Sequence, residues 1–155
     1  MNESHLNEAF AEAFKGMRAN HGGPFGSVVV MNDRIIGKGH NSVTSTHDPT
    51  AHAEVMAIRD ACKNIGAFDL SGAVLYATCE PCPMCMSAIY WARIGVVYFC
   101  STRYDAAAIG FDDHLIYEEL AKSNNDRMVK MQEIKAQEAV SLFNEWTAKP
   151  DKTAY

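Results

Sequence analysis

Three cysteines, Cys79, Cys82 and Cys85, stand three residues apart in "CEPCPMC", with two prolines between them. Cysteines so spaced could ligate a zinc ion, belong to an iron–sulfur cluster, or act as a redox dithiol. Pro83 suits the first turn of a helix, and Cys82 and Cys85, at positions i and i+3, then share one helix face. The positive end of the helix favours the thiolate form that a metal requires. About thirty residues upstream, "HAE" at His52 to Glu54 opens another helical stretch. One His and two Cys make the donor set of a catalytic zinc site with an open fourth position, and a water there would have its pKa lowered to about 7. Glu54, two residues beyond His52, can approach that position without filling it, and so could take a proton and pass it on. A structural zinc site needs no such carboxylate.

The remaining candidates fall away on chemistry or context. An iron–sulfur cluster needs four ligands, and Cys62 and Cys100 are not in a compact run with the other three cysteines. Cys79 closes an apolar run, out of phase with the helical pair, and reads as a small buried hydrophobe. His5, His21, His40, His47 and His114 lie in surface-like contexts, and none is assigned to the metal.

These groups need a scaffold. Apolar residues recur at helical spacing over 3–18 (Leu6, Ala9, Phe10, Ala13, Phe14, Met17), and "NHGGPFG" ends that helix. Apolar runs on either side of Asn32-Asp33 signal a β-hairpin. "NSVTSTHDPT" reads as a polar loop. A helix over 51–65 is stopped by Gly66, "AVLYATC" is a strand buried on both faces, "PMCMSAIYWARI" is helical, and "GVVYFC" is another buried strand. Strand, helix, strand in this order implies a partly parallel sheet. Further on, "FDDHLIYEELAK" and "AVSLFNEWTAK" read as helices, and "MVKMQEI" between them as a strand or the start of a helix. The expectation is one α/β domain of 155 residues with a mixed sheet packed by helices.

Composition narrows the partners. The chain carries 14 Lys and Arg against 19 Asp and Glu, a formal charge of −5, which gives no basic footprint for a nucleic acid. No apolar stretch approaches the roughly 18 residues of a membrane span. The first residues are acidic and amphipathic, unlike a signal peptide. With an odd number of cysteines, five, a reducing cytoplasm is expected rather than a disulfide framework.

H-x-E paired with P-C-x-x-C is the signature of zinc nucleobase deaminases. The sequence resembles the cytidine deaminase superfamily, and within it the bacterial guanine deaminases, through "GGPFG" at 22–26, "DPTAHAEV" at 48–55, "CEPCPMC" at 79–85, "AIYWAR" at 88–93, "GFDD" at 110–113 and the final Tyr155. The resemblance implies a three-layer αβα sandwich with a mixed five-stranded sheet. It implies one Zn²⁺ per subunit on His52, Cys82 and Cys85, with Glu54 shuttling protons in the hydrolysis of guanine to xanthine and ammonia. It places Asn41 and Asp113 as hydrogen-bonding partners of the base, and Phe25, Ala53, Trp91 and Phe111 around its flat ring. It also implies a homodimer exchanging C-terminal segments, about 120–155, with Tyr155 part of a lid. Without the resemblance, Asn41 reads as a turn residue, Asp112 or Asp113 as helix caps, and Trp91 and Phe25 as core. A guanosine or cytosine deaminase, or a non-catalytic zinc module, are the alternatives, and aminotriazines are conceivable side substrates.

Overall fold

The computed structural model describes residues 2–155, which divide into two compact units, up to His114 and from Leu115 onward. In the first unit, helix α1 (Glu3–Arg18) is followed by strands β1 (Gly26–Met31) and β2 (Arg34–His40). Their turn, Asn32-Asp33, has positive φ at both residues (51° and 59°), the backbone of the two-residue hairpin turn whose twist matches the strands. A four-residue helix α2 (Val43–Thr46) occupies the segment expected to be loop. Helix α3 (Ala53–Ile65) ends at Gly66 in the left-handed conformation (φ 68°), the stop that the sequence signals. Strand β3 (Val74–Cys79), helix α4 (Pro83–Trp91), strand β4 (Val96–Ser101) and the short helix α5 (Arg103–Ala108) complete the unit. Helix α6 (His114–Ala121) straddles the boundary with the second unit.

The sheet has four strands in the order β2-β1-β3-β4. Strand β1 is antiparallel to both β2 and β3, while β3 and β4 run parallel, so the sheet is mixed as expected. The fifth strand implied by the resemblance is absent among the described residues. Residues 128–134, where a strand was one of two readings, form neither strand nor helix. A strand requires a ladder partner, and their own unit contains no other strand.

Three layers pack within the first unit. On one face Ala9 of α1 meets Val28, Val30 and Tyr76. On the other, Ala57, Ile58 and Ala61 of α3 and Ile89 of α4 close over Val29, Leu75 and Ala77. Leu75 and Ile89 are almost wholly buried, and truncating either to Ala costs about 2–5 kcal/mol. Helix α3 lies unusually close to β2: a Cβ on Gly37 would come within 2.4 Å of the Ala57 carbonyl, and one on Gly39 within 2.4 Å of the Ala53 carbonyl. Only glycine permits that approach, and it sets the start of α3, where the chemistry lies, at a defined height over the sheet. The outer edge of β2 is also covered by α3: the Lys38 N–H donates to Asp60 and the Ile36 carbonyl accepts from Asn64. A groove of about 620 Å³ follows this edge between α1 and α3, and contains none of His52, Glu54, Cys82 or Cys85.

Strand β4 corrects a sequence expectation. The composition of "GVVYFC" predicts a buried strand, yet β4 is an edge strand with Val96, Phe99 and Cys100 exposed. Burial inside a sheet and burial under something beyond the sheet leave the same apolar run in a sequence.

In the second unit, α6 continues from Leu115 and is closed by Arg127, which donates to the carbonyls of Glu119 and Leu120. Helix α7 (Gln137–Ala148) follows. Neither helix buries a residue, and Leu120, Val140, Leu142, Phe143 and Trp146 are exposed. Among the described residues no helix is long and apolar enough to cross a membrane.

Candidate metal centre and active site

Two helix N-termini supply the reactive groups. His52 is the N-cap residue of α3 and Cys82 that of α4; both have extended backbone, and neither spends its side chain on capping. Their carbonyls accept the first intrahelical bonds, from Met56 and Met86 at 2.9 Å each. Pro83 occupies the first turn of α4, where its missing N–H costs nothing. Cys85, one turn on, comes round to the same face.

The three donor atoms form a nearly equilateral triangle. Sγ of Cys82 and of Cys85 each lie 3.6 Å from Nδ1 of His52, and 3.6 Å from one another. Tetrahedral zinc, with Zn–S of about 2.3 Å and Zn–N of about 2.0–2.1 Å, sets neighbouring donors about 3.5–3.8 Å apart. The triangle is therefore one face of such a tetrahedron, and the residues present fit the ion. Among the described residues it is the one group of three or more His, Cys, Asp or Glu side chains disposed to hold a metal.

The electrostatics agree with a site made for a cation. A hydrogen bond from the Cys85 thiol, helped by His52, holds Cys82 down at about 4. Cys85 is pushed far above the thiol range by its contact with Cys82 and by burial. His52 is raised, chiefly by its contact with Cys82. Glu54, in the first turn of α3, is buried and within 3.4 Å of the Cys85 Sγ; burial raises its carboxyl above the usual range. Cys79 stands apart: burial, then the charge of Glu54, pushes its thiol up to about 11, and it contacts the Thr102 carbonyl at 3.6 Å.

A second cluster gathers residues expected around a substrate ring. Phe25 and Phe111 meet edge to face, with centroids 4.9 Å apart at 89°. A side chain on Gly23 would strike both rings. Asn41 is buried at the end of β2, its Oδ1 accepting from the N–H groups of Gly23 and Val43 at 3.3 Å each. With Oδ1 so occupied, the amide nitrogen is the atom of Asn41 able to serve a ligand. Asp113 is raised, by burial first and then by the charge of Cys82. Asp112, not Asp113, accepts from the N–H of His114 at 2.9 Å, so the capping role and the second carboxylate are separate. Ala53 is buried in the first turn of α3, between His52 and Glu54.

Trp91 and Tyr155, also expected around the ring, are both exposed. Trp91 ends α4, nine residues or about 13 Å along the axis from Cys82, and is 68% exposed. Tyr155 ends the second unit and is also exposed. Two histidines read as surface residues are not. His5 is buried against Tyr76 with Asp33 at 2.8 Å, and His40 is half-buried between Glu12 and His21. Partners 19 and 28 residues distant leave no periodic signal in a sequence.

The description "Cytidine and deoxycytidylate deaminase zinc-binding region" belongs to the family profile that matches residues 1–101. A guanine deaminase of Bacillus subtilis is 46% identical over 153 residues, covering 99% of this chain and 98% of that protein. This chain belongs to the guanine deaminases of the cytidine deaminase family. The X-ray structure of guanine deaminase from Bacillus subtilis superposes with a TM-score of 0.95 at 46% identity, covering 100% of this chain and 99% of the other. A tRNA-specific adenosine deaminase of the same organism is 38% identical over 117 residues, covering 76% of this chain and 72% of its own. Membership agrees with the fold expected from the sequence, apart from the strand count, and with a His/Cys/Cys group suited to zinc.

Proposed function

We propose that the chain hydrolyses guanine to xanthine and ammonia in purine catabolism or salvage. The observation that carries this reading is the contact of buried Glu54 with a zinc-type triad, in a chain similar over its whole length to a guanine deaminase. His52, Cys82 and Cys85 would hold one Zn²⁺ per subunit, and the ion would supply a coordinated water of lowered pKa. Glu54 would take one proton from the attacking water and deliver it to a ring nitrogen, then take the remaining proton from the hydroxyl on C2 and hand it to the amine, which leaves as ammonia as the C–N bond breaks and the C2 carbonyl forms. Burial raises the Glu54 carboxyl above the ordinary carboxylate range, which favours its holding a proton between the two transfers. Asn41 donates from its amide to the base and Asp113 accepts from it. Phe25, Phe111 and Ala53 line the ring, whose faces are apolar while its edge demands hydrogen bonds.

The reading includes a cytoplasmic homodimer exchanging C-terminal segments from about residue 120. Supporting it, the helices of the second unit bury nothing within that unit, while the first unit exposes Val96 and Phe99 on β4 and Tyr90 and Trp91 on α4. Apolar surface of this extent is what an obligate assembly covers. Trp91 and Tyr155 then enter as ring-covering residues supplied across the dimer.

Ammonia release from purified protein given guanine, guanosine, adenine, cytosine or cytidine tests the substrate. Turnover of guanine is expected; turnover of cytosine or cytidine alone would remove the guanine reading and leave the zinc assignment standing.

A further inference from the structure

The N–H groups of Gly23 and Val43 both reach Oδ1 of Asn41 at 3.3 Å, beyond the usual range for such bonds, and as only Gly23 belongs to the 21–25 loop, this side-chain contact alone holds the loop weakly. The loop is secured from behind. The His40 ring, immediately before Asn41, has Nδ1 2.9 Å from Oε2 of Glu12 on α1 and Nε2 2.9 Å from Nδ1 of His21 at the head of the loop. The two imidazoles stack with centroids 5.2 Å apart. The polarity follows from the carboxylate, which can only accept. His40 therefore carries a proton on Nδ1, and in the neutral ring its Nε2 accepts from Nδ1–H of His21. The bond to the carboxylate is charge-assisted and about twice the strength of a neutral one.

His21 passes the restraint on. Its carbonyl accepts from the N–H groups of Thr44 and Ser45 at 3.1 Å and from the Thr44 hydroxyl at 2.7 Å, joining the loop to α2 just beyond Asn41. The fit leaves no slack: a Cβ on Gly16 would lie 2.4 Å from the His40 ring, and one on Gly22 2.0 Å from Oδ1 of Asn41. The next turn of chain brings Phe25, whose carbonyl accepts from the Asn41 N–H at 3.0 Å.

We infer that His40, held between Glu12 and His21, is a positioning residue for the reaction: it locks the 21–25 loop against Asn41 so that the Asn41 amide faces the base at a defined angle. This rests on the reading of Asn41 as a base-binding residue.

The test compares kcat and KM for guanine, zinc content and Tm in His40→Phe, Asn41→Ala and the double variant. Phe keeps a planar ring and removes both hydrogen bonds. His40→Phe should raise KM about tenfold, with kcat within about threefold and zinc unchanged. Asn41→Ala should raise KM by itself, and adding His40→Phe to it should produce no further rise, because the positioned group is gone. A His40→Phe enzyme with lowered Tm and unchanged KM overturns the proposal, as does an undiminished further rise in the Asn41→Ala background. Should Asn41→Ala leave KM unchanged, the reading of Asn41 falls and the proposal with it. If His40→Phe does not fold, His21→Ala, at a half-exposed loop position, decides: raised KM is expected, and unchanged KM overturns the proposal.

Discussion

Oε2 of Glu54 lies 3.4 Å from Sγ of Cys85, so the group proposed to move protons is packed directly against one proposed to hold the metal. Removing only the charge separates the two roles. Glu54→Gln should retain zinc, measured by elemental analysis, while kcat for guanine falls by about 10²–10⁴. A variant that lost its zinc together with its activity would instead make Glu54 part of the metal's support.

Cys85→Ser replaces a thiol at the corner of the 3.6 Å triangle with a poorer, protonated donor. Zinc content should fall well below that of the parent, and Tm should drop, since metal bound only by the folded chain stabilises it by mass action. Because the ligands bind in their deprotonated forms, zinc retention in both proteins should weaken as pH falls. Chelator titration followed by thermal melts provides the check.

Glu12 gives a pH dependence of known sign. Burial alone would raise its carboxyl, but hydrogen bonds from His40 and Lys15 outweigh that and hold it below 4.5. A carboxylate whose folded pKa is depressed contributes stability above its unfolded pKa and loses it as pH falls through the folded value. Glu12→Gln should therefore melt below the parent near neutral pH. The gap should close as pH drops beneath about 4.5, as melting curves across that range would show.

The final residues offer a separation of activity from stability. Lys152 donates to the Thr147 carbonyl within the second unit, and Tyr155 is exposed there. Deleting residues 152–155 should reduce guanine turnover more than it reduces Tm. Equal turnover with and without them would remove the ring-covering role of Tyr155.

The chemistry was legible because ligation and proton transfer constrain residue type and spacing over short stretches. Cys82 and Cys85 sit one helical turn apart behind a proline, and Glu54 follows His52 by two residues; each pattern lies within a single turn. The hairpin at Asn32-Asp33 and the stop at Gly66 were legible for the same local reason: both need a backbone with positive φ. The environment of His40 was not, since Glu12 and His21 reach it from separate elements. Nor was the exposure of β4, because an apolar run does not record whether a strand lies inside a sheet or at its edge.

By itself, then, the sequence determined the His/Cys/Cys group suited to zinc, the carboxylate two residues beyond the histidine, the hairpin and the helix starts that carry them. Those follow from interactions between near neighbours in the chain. Only the tertiary structure decided that the three donors close to a 3.6 Å triangle, that the sheet stops at four strands, that Oδ1 of Asn41 is consumed by the loop beside it, and that a histidine between α1 and that loop braces it. Each of these depends on groups brought together by packing across the sheet, where distance along the chain says nothing about distance in space.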